Sequence, residues 1–414
     1  MSTKQIGYWQ LLHQNRNFAR VYFARLISLF GDWFNLLAIM VLMRELGHEG
    51  ASVLGGIFIA KSIANLLMLP FTGVIVDRFS RKWAMLLSDI GRAFVVGFMF
   101  FVLVYPSVWL IYSLLLFQSA LSSFFEPARS ALLPDIVSEE ELTAANALGA
   151  ATWSAMLAIG SAFGGVFTEF FGWKWALGVD IGTYIVSGLI LWRVFEPSFE
   201  KKKNTHFLDE MKEGLLYLRD RFEIWSLASA KALWSIVGSV TVLLTMMGEG
   251  KYKLEEGAMI SVAVLFMARG VGTGLGPIVS RALSKSDPKT MEKFINSGYL
   301  MGLVFFSLIP YMNSIWLVSL CLIGAHIGGA TTWVFSSIRL QQLVETEIRG
   351  RIFSWELAFF LMINISSIYF YSWLVDNYVI EPDEVFGILG FSLIFPILFW
   401  FWRMKKVSKN TEIE

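Results

Sequence analysis

Ionisable residues sit inside stretches that are otherwise apolar enough to be buried in lipid, among them Arg25, Asp32, Lys61, Lys231, Arg269, His326 and Glu356. A charge at the centre of a bilayer costs about 2.5–3.5 kcal/mol on insertion scales, so each such group is paired, hydrated, protonated or used. Asp32 lies about 14 residues into its apolar run, roughly 20 Å along a helix rising ~1.5 Å per residue. At that depth a carboxyl suits a proton carrier. Two structural alternatives stand beside it, a pair with Arg25 two turns earlier on the same face and a cap at a break after Gly31. Arg269, near the middle of a later run, either neutralises an acid or holds an anionic substrate group. Glu356, Lys61 and Lys231 are similarly displaced from the run ends, and cavity-facing and helix-pairing roles are equally open to them. His326 has the chemistry to titrate near neutrality, although a lone histidine in an apolar run is more often hydrogen-bonded packing. Asp89 and Arg92, three residues apart, read as a structural pair, and Asp180 as structural.

The elements that position these groups follow from composition. The 414 residues are 56% hydrophobic and only 16% charged, with a mean hydropathy of +0.59, against about 25% charged in an ordinary soluble domain. Runs of about 20 residues, long enough to cross a hydrocarbon layer of about 30 Å, can be read twelve times, near 18–44, 51–76, 83–104, 107–128, 143–169, 173–195, 223–247, 257–282, 292–310, 313–338, 350–375 and 384–402. The long polar stretch between the sixth and seventh carries Lys201-Lys202-Lys203, then Phe207, Met211, Leu215 and Leu218 at helical spacing. The expected organisation is an N-terminal six-helix bundle over 1–195, a linker with an amphipathic helix over 196–222, and a C-terminal six-helix bundle over 223–414. With the N-terminus inside, 25 of the 34 Lys and Arg fall in inside segments, four in outside segments and five within spans. That asymmetry places both termini in the cytoplasm. The apolar run near the N-terminus is too long for a removable signal peptide and is expected to stay in the membrane.

The halves echo one another. Gly73 and Gly276 each precede an arginine by five residues, Arg78 and Arg281, and Arg129 and Arg339 each close the fourth span of their half. The stretch Gly73-Val-Ile-Val-Asp77-Arg78-Phe-Ser-Arg81-Lys82, which interrupts two apolar runs, resembles the loop between the second and third helices of the major facilitator superfamily. Three further stretches resemble its drug-antiporter branch, which includes macrolide efflux proteins, the enterobactin exporter and the lysophospholipid transporter: Ser28-Leu-Phe-Gly31-Asp32-Trp33; Pro127-Ala-Arg129-Ser-Ala-Leu-Leu-Pro134 with Ala144-Ala-Asn146-Ala; and Leu340-Gln-Gln-Leu-Val344 with Arg349-Gly-Arg351. The resemblance implies an all-α membrane protein of twelve transmembrane helices in two six-helix pseudo-repeats. It also implies that Asp77 and Arg81 belong to a charge-relay latch between the halves, and that Glu126 has a lining or gating role. Ser80 replaces the family's usual glycine, and Ser280 stands at the acid position of the second half, so the latch is expected to be asymmetric. The conformational switch is therefore read on Gly73, Asp77, Arg78, Arg81, Lys82, Glu126, Arg129, Arg349 and Arg351.

Other chemistries lack their residues. A net charge of +1 gives no concentrated basic surface for nucleic acid. The single Cys321 excludes an intramolecular disulfide and a thiolate metal cluster. The run Arg269-Gly270-Val-Gly272-Thr-Gly274-Leu-Gly276 lacks the strand that a dinucleotide loop requires. That run and Gly160-Ser-Ala-Phe-Gly164-Gly165 instead read as surfaces on which the halves rock. Trp33, Trp153, Trp234 and Trp333 lie deep enough to line a cavity. The expected protein is not an enzyme and needs no cofactor or metal. It exports an amphipathic compound as a monomer of the inner membrane by alternating access, with the proton gradient as its energy source. The charge balance leaves cationic-drug specificity unsupported, so a lysophospholipid flippase or siderophore exporter with different or no proton coupling is an alternative, and a channel or scramblase is the alternative from another class.

Overall fold

The computed structural model describes residues 7–197, 207–283, 287–378 and 380–411. A short helix α1 (Tyr8–Gln14) leads into α2 (Arg16–Glu45), α3 (Ala51–Arg78), α4 (Arg81–Met99), α5 (Val108–Ser122), α6 (Phe125–Ile136) and the long α7 (Glu139–Trp192). After α8 (Phe207–Arg219) come α9 (Phe222–Ala228), α10 (Ala230–Trp234), α11 (Val240–Glu249), α12 (Ala258–Leu283), α13 (Pro288–Leu308), α14 (Ile315–Leu343), α15 (Thr346–Tyr378), α16 (Pro382–Ser392) and α17 (Ile394–Thr411). Among the described residues, eleven helical stretches are long and apolar enough to cross a membrane. One of them, α7, is two spans in a single run. Gly172 sits at φ 78°, which breaks the helix where the fifth apolar run gives way to the sixth.

Most of the expected spans appear, but the fourth, the seventh and the twelfth are interrupted, the twelfth at Leu393 between α16 and α17. The fourth does not stop near 128: α5 ends at Ser122, the chain turns, and α6 continues to Ile136. The seventh is broken into α9, α10, a 3₁₀ turn and α11. Serine and aspartate side chains start many of the helices. Ser80 accepts from the Trp83 amide, Ser107 from Leu110, Asp287 from Thr290 and Ser314 from Trp316. Ser138 and Glu141 form a reciprocal capping box. Such caps occupy amide donors that a helix start cannot satisfy internally.

The chain separates into two compact units, residues 1–49 with 60–204, and residues 50–59 with 205–414. In the first, α2 lies along α7, with α4 against α7 as well. Their closest approach depends on glycine: a Cβ at Gly160 would stand 2.5 Å from Trp33 Cδ1, and one at Gly164 3.3 Å from the Phe34 amide nitrogen. In the second unit α14 packs against both α12 and α13, and a Cβ at Gly272 would meet the Ile323 carbonyl at 2.5 Å. Gly160, Gly164, Gly272 and Gly276 are thus packed against helices of their own unit. A Cβ-free helix face lets two backbones touch, and here the touching partner is a neighbour in the same bundle.

Within the second unit the Asp376 carboxylate accepts from the amides of Ala51 and Ser52, each at 2.8 Å, and so caps the start of α3. The linker helix α8 lies on α15. Arg351 pairs with Glu213 at 2.7 Å and with Glu210 at 3.7 Å, and Trp355 Nε1 donates to the Met211 carbonyl.

Candidate functional site

In the first unit, α2, α3, α4, α5 and α7 enclose a cavity of about 200 Å³. One part of its wall is polar, with Asp32, Lys61, Arg92, Gln118, Ser119 and Ser122. The other part is apolar, with Leu29, Trp33, Leu36, Trp153 and Met156. Two of the deep tryptophans singled out from the sequence, Trp33 and Trp153, therefore line a cavity. The other two do not lie on this wall: Trp234 stacks on Tyr299, and the Lys231 ammonium lies 4.4 Å from the Trp333 ring centre.

Asp32 is held from α4 and α7. Tyr184 Oη donates to Asp32 Oδ1 at 2.5 Å, and Arg92 Nη1 lies 3.5 Å from the same oxygen. Arg92 is shared. Its Nη2 donates to the fully buried Asp89 and, at 3.0 Å, to Ser28 Oγ, while its guanidinium stacks 4.4 Å above the Tyr184 ring. Ser187 also donates to Asp89, so that carboxylate is satisfied inside the bundle and Asp32 is the acid presented to the cavity. The pairing of Asp32 with Arg25 is overturned. Arg25 donates through Nε to Glu126 and through Nη1 to the Gly149 carbonyl at 2.7 Å, while Arg129 holds the other Glu126 oxygen at 2.9 Å. Although Arg25 and Asp32 are seven residues apart in sequence, the first finds its acid on α6 and the second its cations on other helices.

Lys61 faces the same space, within electrostatic reach of Asp32 and Asp180. Its ammonium makes no hydrogen bond or ion pair among the described residues. On the cavity wall several buried polar atoms have no hydrogen-bond partner among the described residues: Arg92 Nε, Gln118 Oε1 and Ser119 Oγ. Buried polar groups are ordinarily hydrogen-bonded, so such a concentration marks a place built to receive polar atoms from elsewhere. Tyr184, Gln118, Ser119 and Asn35 were not singled out from the sequence. Their signal was present as isolated amide and hydroxyl groups in apolar runs, but nothing in the runs said that three helices would bring them into one region.

In the second unit Lys231 and Glu356, expected separately, form a buried pair at 2.9 Å. Arg269 makes no side-chain ion pair among the described residues, and its Nε is buried without a partner. His326 Nδ1–H donates to the Leu322 carbonyl at 2.9 Å, and the buried ring sits edge-on to Phe306. A cluster missed from the sequence joins α9, α13, α14 and α17. Glu292 receives Arg403 Nη1 at 2.7 Å and Arg339 Nη2 at 3.2 Å, with Glu223 3.6 Å from Arg339.

Of the expected switch, the side chains of Gly73 and Asp77 lie outside the described residues. Arg81 pairs with Asp135, and the Ser80 hydroxyl and Arg81 amide both donate to Glu196. Arg78 is exposed, the Lys82 amide lies 3.4 Å from Glu196, and Arg349 donates to the Val344 carbonyl.

Two bundles of membrane-length helices, one carrying a charged, half-apolar cavity at mid-helix, define a membrane transporter. Residues 21–359 match the model of the Major Facilitator Superfamily, and the chain belongs to that family. It is 24% identical to the MFS-type transporter YkuC of Bacillus subtilis, over 96% of this chain and 94% of that one. It is also 24% identical to lysophospholipid transporter LplT of Yersinia enterocolitica, over 70% of each chain, and to macrolide efflux protein A of Streptococcus pyogenes, over 71% of this chain and 75% of that one. The fold is similar to that of the solved POT family transporter PepTSo, with a TM-score of 0.74 at 12% identity over 95% of this chain and 99% of that one.

Proposed function

We propose that the chain exports an amphipathic small molecule from the cytoplasm by alternating access, in exchange for protons, with both termini cytoplasmic. The observation that carries this reading is the cavity lined by Asp32, Lys61 and Arg92 together with Trp33, Trp153 and Met156. Its volume, about 200 Å³, is below the ~300–1,000 Å³ of a site that encloses a whole drug-sized ligand. It suits the polar end of a larger amphiphile. Asp32 exchanges the proton: it is the acid that reaches the cavity, and Arg92 and Tyr184 fix its orientation. In the second unit Arg269 takes an anionic group of the substrate, since no carboxylate among the described residues neutralises it. The Gly73–Lys82 stretch, with Glu126, Arg129, Arg349 and Arg351, forms the conformational switch.

Two relatives are named for exporting or moving substrates of this kind, a macrolide and a lysophospholipid. The mixed charges of the cavity favour a zwitterionic or anionic amphiphile over a simple cation, which supports lysophospholipid movement as the second reading. Purified protein in proteoliposomes, offered lysophospholipids, siderophores and cationic drugs in turn under an imposed pH difference, tests both. Export of a cationic drug alone, with no response to the others, would sink the charge argument.

A further inference from the structure

Asp180 is fully buried on α7, and among the described residues no hydroxyl, ammonium or guanidinium group donates a hydrogen bond to its carboxylate, which has the neutral amide of Asn35 beside it. An uncompensated carboxylate in a low-dielectric interior costs several kcal/mol, far more than a neutral acid there. The groups facing it are known from each helix packed around it. On α2 are Asp32 and the amide of Asn35, itself 0% exposed; on α3 is Lys61; on α4 is Arg92; on its own helix is Tyr184. Asp32 is the acid among them. The close approach is built in: a Cβ at Gly31, next to Asp32, would lie 2.7 Å from Asp180 Oδ1 and 1.9 Å from Thr183 Oγ1, so only glycine leaves space there. The two acids differ in one respect that decides between them. Asp32 is hydrogen-bonded by the Tyr184 hydroxyl and the cationic Arg92, whereas among the described residues Asp180 has no charged or hydroxyl donor and faces the neutral Asn35 amide.

We infer that Asp180 is a second proton-binding site, which stores the proton that Asp32 exchanges with the cavity. The O–H bond on Asp32 breaks, an O–H bond forms on an Asp180 oxygen, and Asp32 is left ionised toward Arg92 and Lys61. No other reactant is needed. Two carboxylates in one site hold a proton between them as a pair, and the donor inventory puts that proton on Asp180. The inference rests on the proton-coupled reading of the cavity and names which acid holds the proton within it.

Infrared difference spectroscopy on the purified full chain, with acidification from about pH 8 to about pH 5 across the range where coupled carboxyls exchange protons, reads this directly and needs no substrate. The expected result is that Asp180→Asn removes one carboxyl group's intensity per chain from the protonated C=O band, and that Asp32→Asn leaves that component in place. Asp180→Glu retains the component at a displaced frequency, and this arm decides the question if the asparagine variant is not monodisperse. Identical bands in wild type and Asp180→Asn, or an unmoved component in Asp180→Glu, overturn the inference. Its failure is separable from failure of the coupling itself. Transport that ignores an imposed pH difference while the Asp180 component persists removes the coupling and leaves the site. Transport that follows the pH difference with no Asp180 component does the reverse.

Discussion

Replacing Lys231 with methionine should destabilise the second unit, and replacing Glu356 as well should restore most of the loss. The two groups are 6% and 2% exposed and meet at 2.9 Å. Removing one leaves a buried, unpaired charge, which costs about 3–5 kcal/mol, whereas replacing both with apolar groups is neutral or stabilising by about 1–4 kcal/mol. One contribution does not return in the double variant. The Lys231 ammonium lies 4.4 Å from the Trp333 ring centre, an interaction of about 0.5–2 kcal/mol. Lys231→Met/Glu356→Leu is therefore expected within about 2 kcal/mol of wild type, while each single variant loses about 3–5 kcal/mol. At about 2–4 °C per kcal/mol for a unit of roughly 150–250 residues, single variants should melt about 6–20 °C lower. Thermal unfolding of the detergent-purified protein, followed by tryptophan fluorescence, completes the cycle. A double variant as unstable as the sum of the two singles would refute the reasoning, because the groups would then not be each other's compensation.

Three further outcomes follow from the same physics. Glu292→Gln strips the carboxylate shared by Arg403, 0% exposed, and Arg339, 7% exposed, and should lower stability by about 3–5 kcal/mol, read from the same melting curves. Gly164→Leu should separate α2 from α7, since even a Cβ there stands 3.3 Å from backbone atoms of Trp33 and Phe34; loss of a monodisperse peak on size exclusion checks it, and unchanged behaviour would argue against the close contact. Asp287 caps α13, and the Thr290 hydroxyl and amide hold its carboxyl below the usual carboxylate range. A lowered folded value means the stabilisation is present above the unfolded value of about 3.9 and is lost as pH falls through the lower folded one. The melting difference between wild type and Asp287→Ala should shrink below about pH 4.

Much of the helical frame was legible because run length and positive charge are local properties of the chain. Ser80, Ser107 and Ser138 even mark the helix starts they cap. The breaks in the fourth and seventh spans were not legible, since an apolar run reads the same whether its helix is straight or turned. Asp32 stood out by its depth in an apolar run, but its partners did not. Tyr184 is 152 residues away and Arg92 is 60 away, so their meeting depends on the rotation of three helices about their axes. The same limit hid the role of Asp180, which from sequence is one more acid in a span. Packing alone makes it informative: among the described residues no charged or hydroxyl donor reaches its oxygens, and Gly31 leaves room beside it. Glu292 and Arg403 look like ordinary charges near span ends, and only packing makes them a buried cluster.

The central claim is that a proton gradient drives export through the Asp32 cavity, and transport in sealed proteoliposomes addresses it most directly. With a lysophospholipid or other amphiphile identified in the screen, wild-type protein should concentrate it against its gradient when a pH difference is imposed. Asp32→Asn should bind the same compound yet lose that pH-driven accumulation. Transport by the wild type that only equilibrates the compound, or full pH-driven accumulation by Asp32→Asn, would contradict the account.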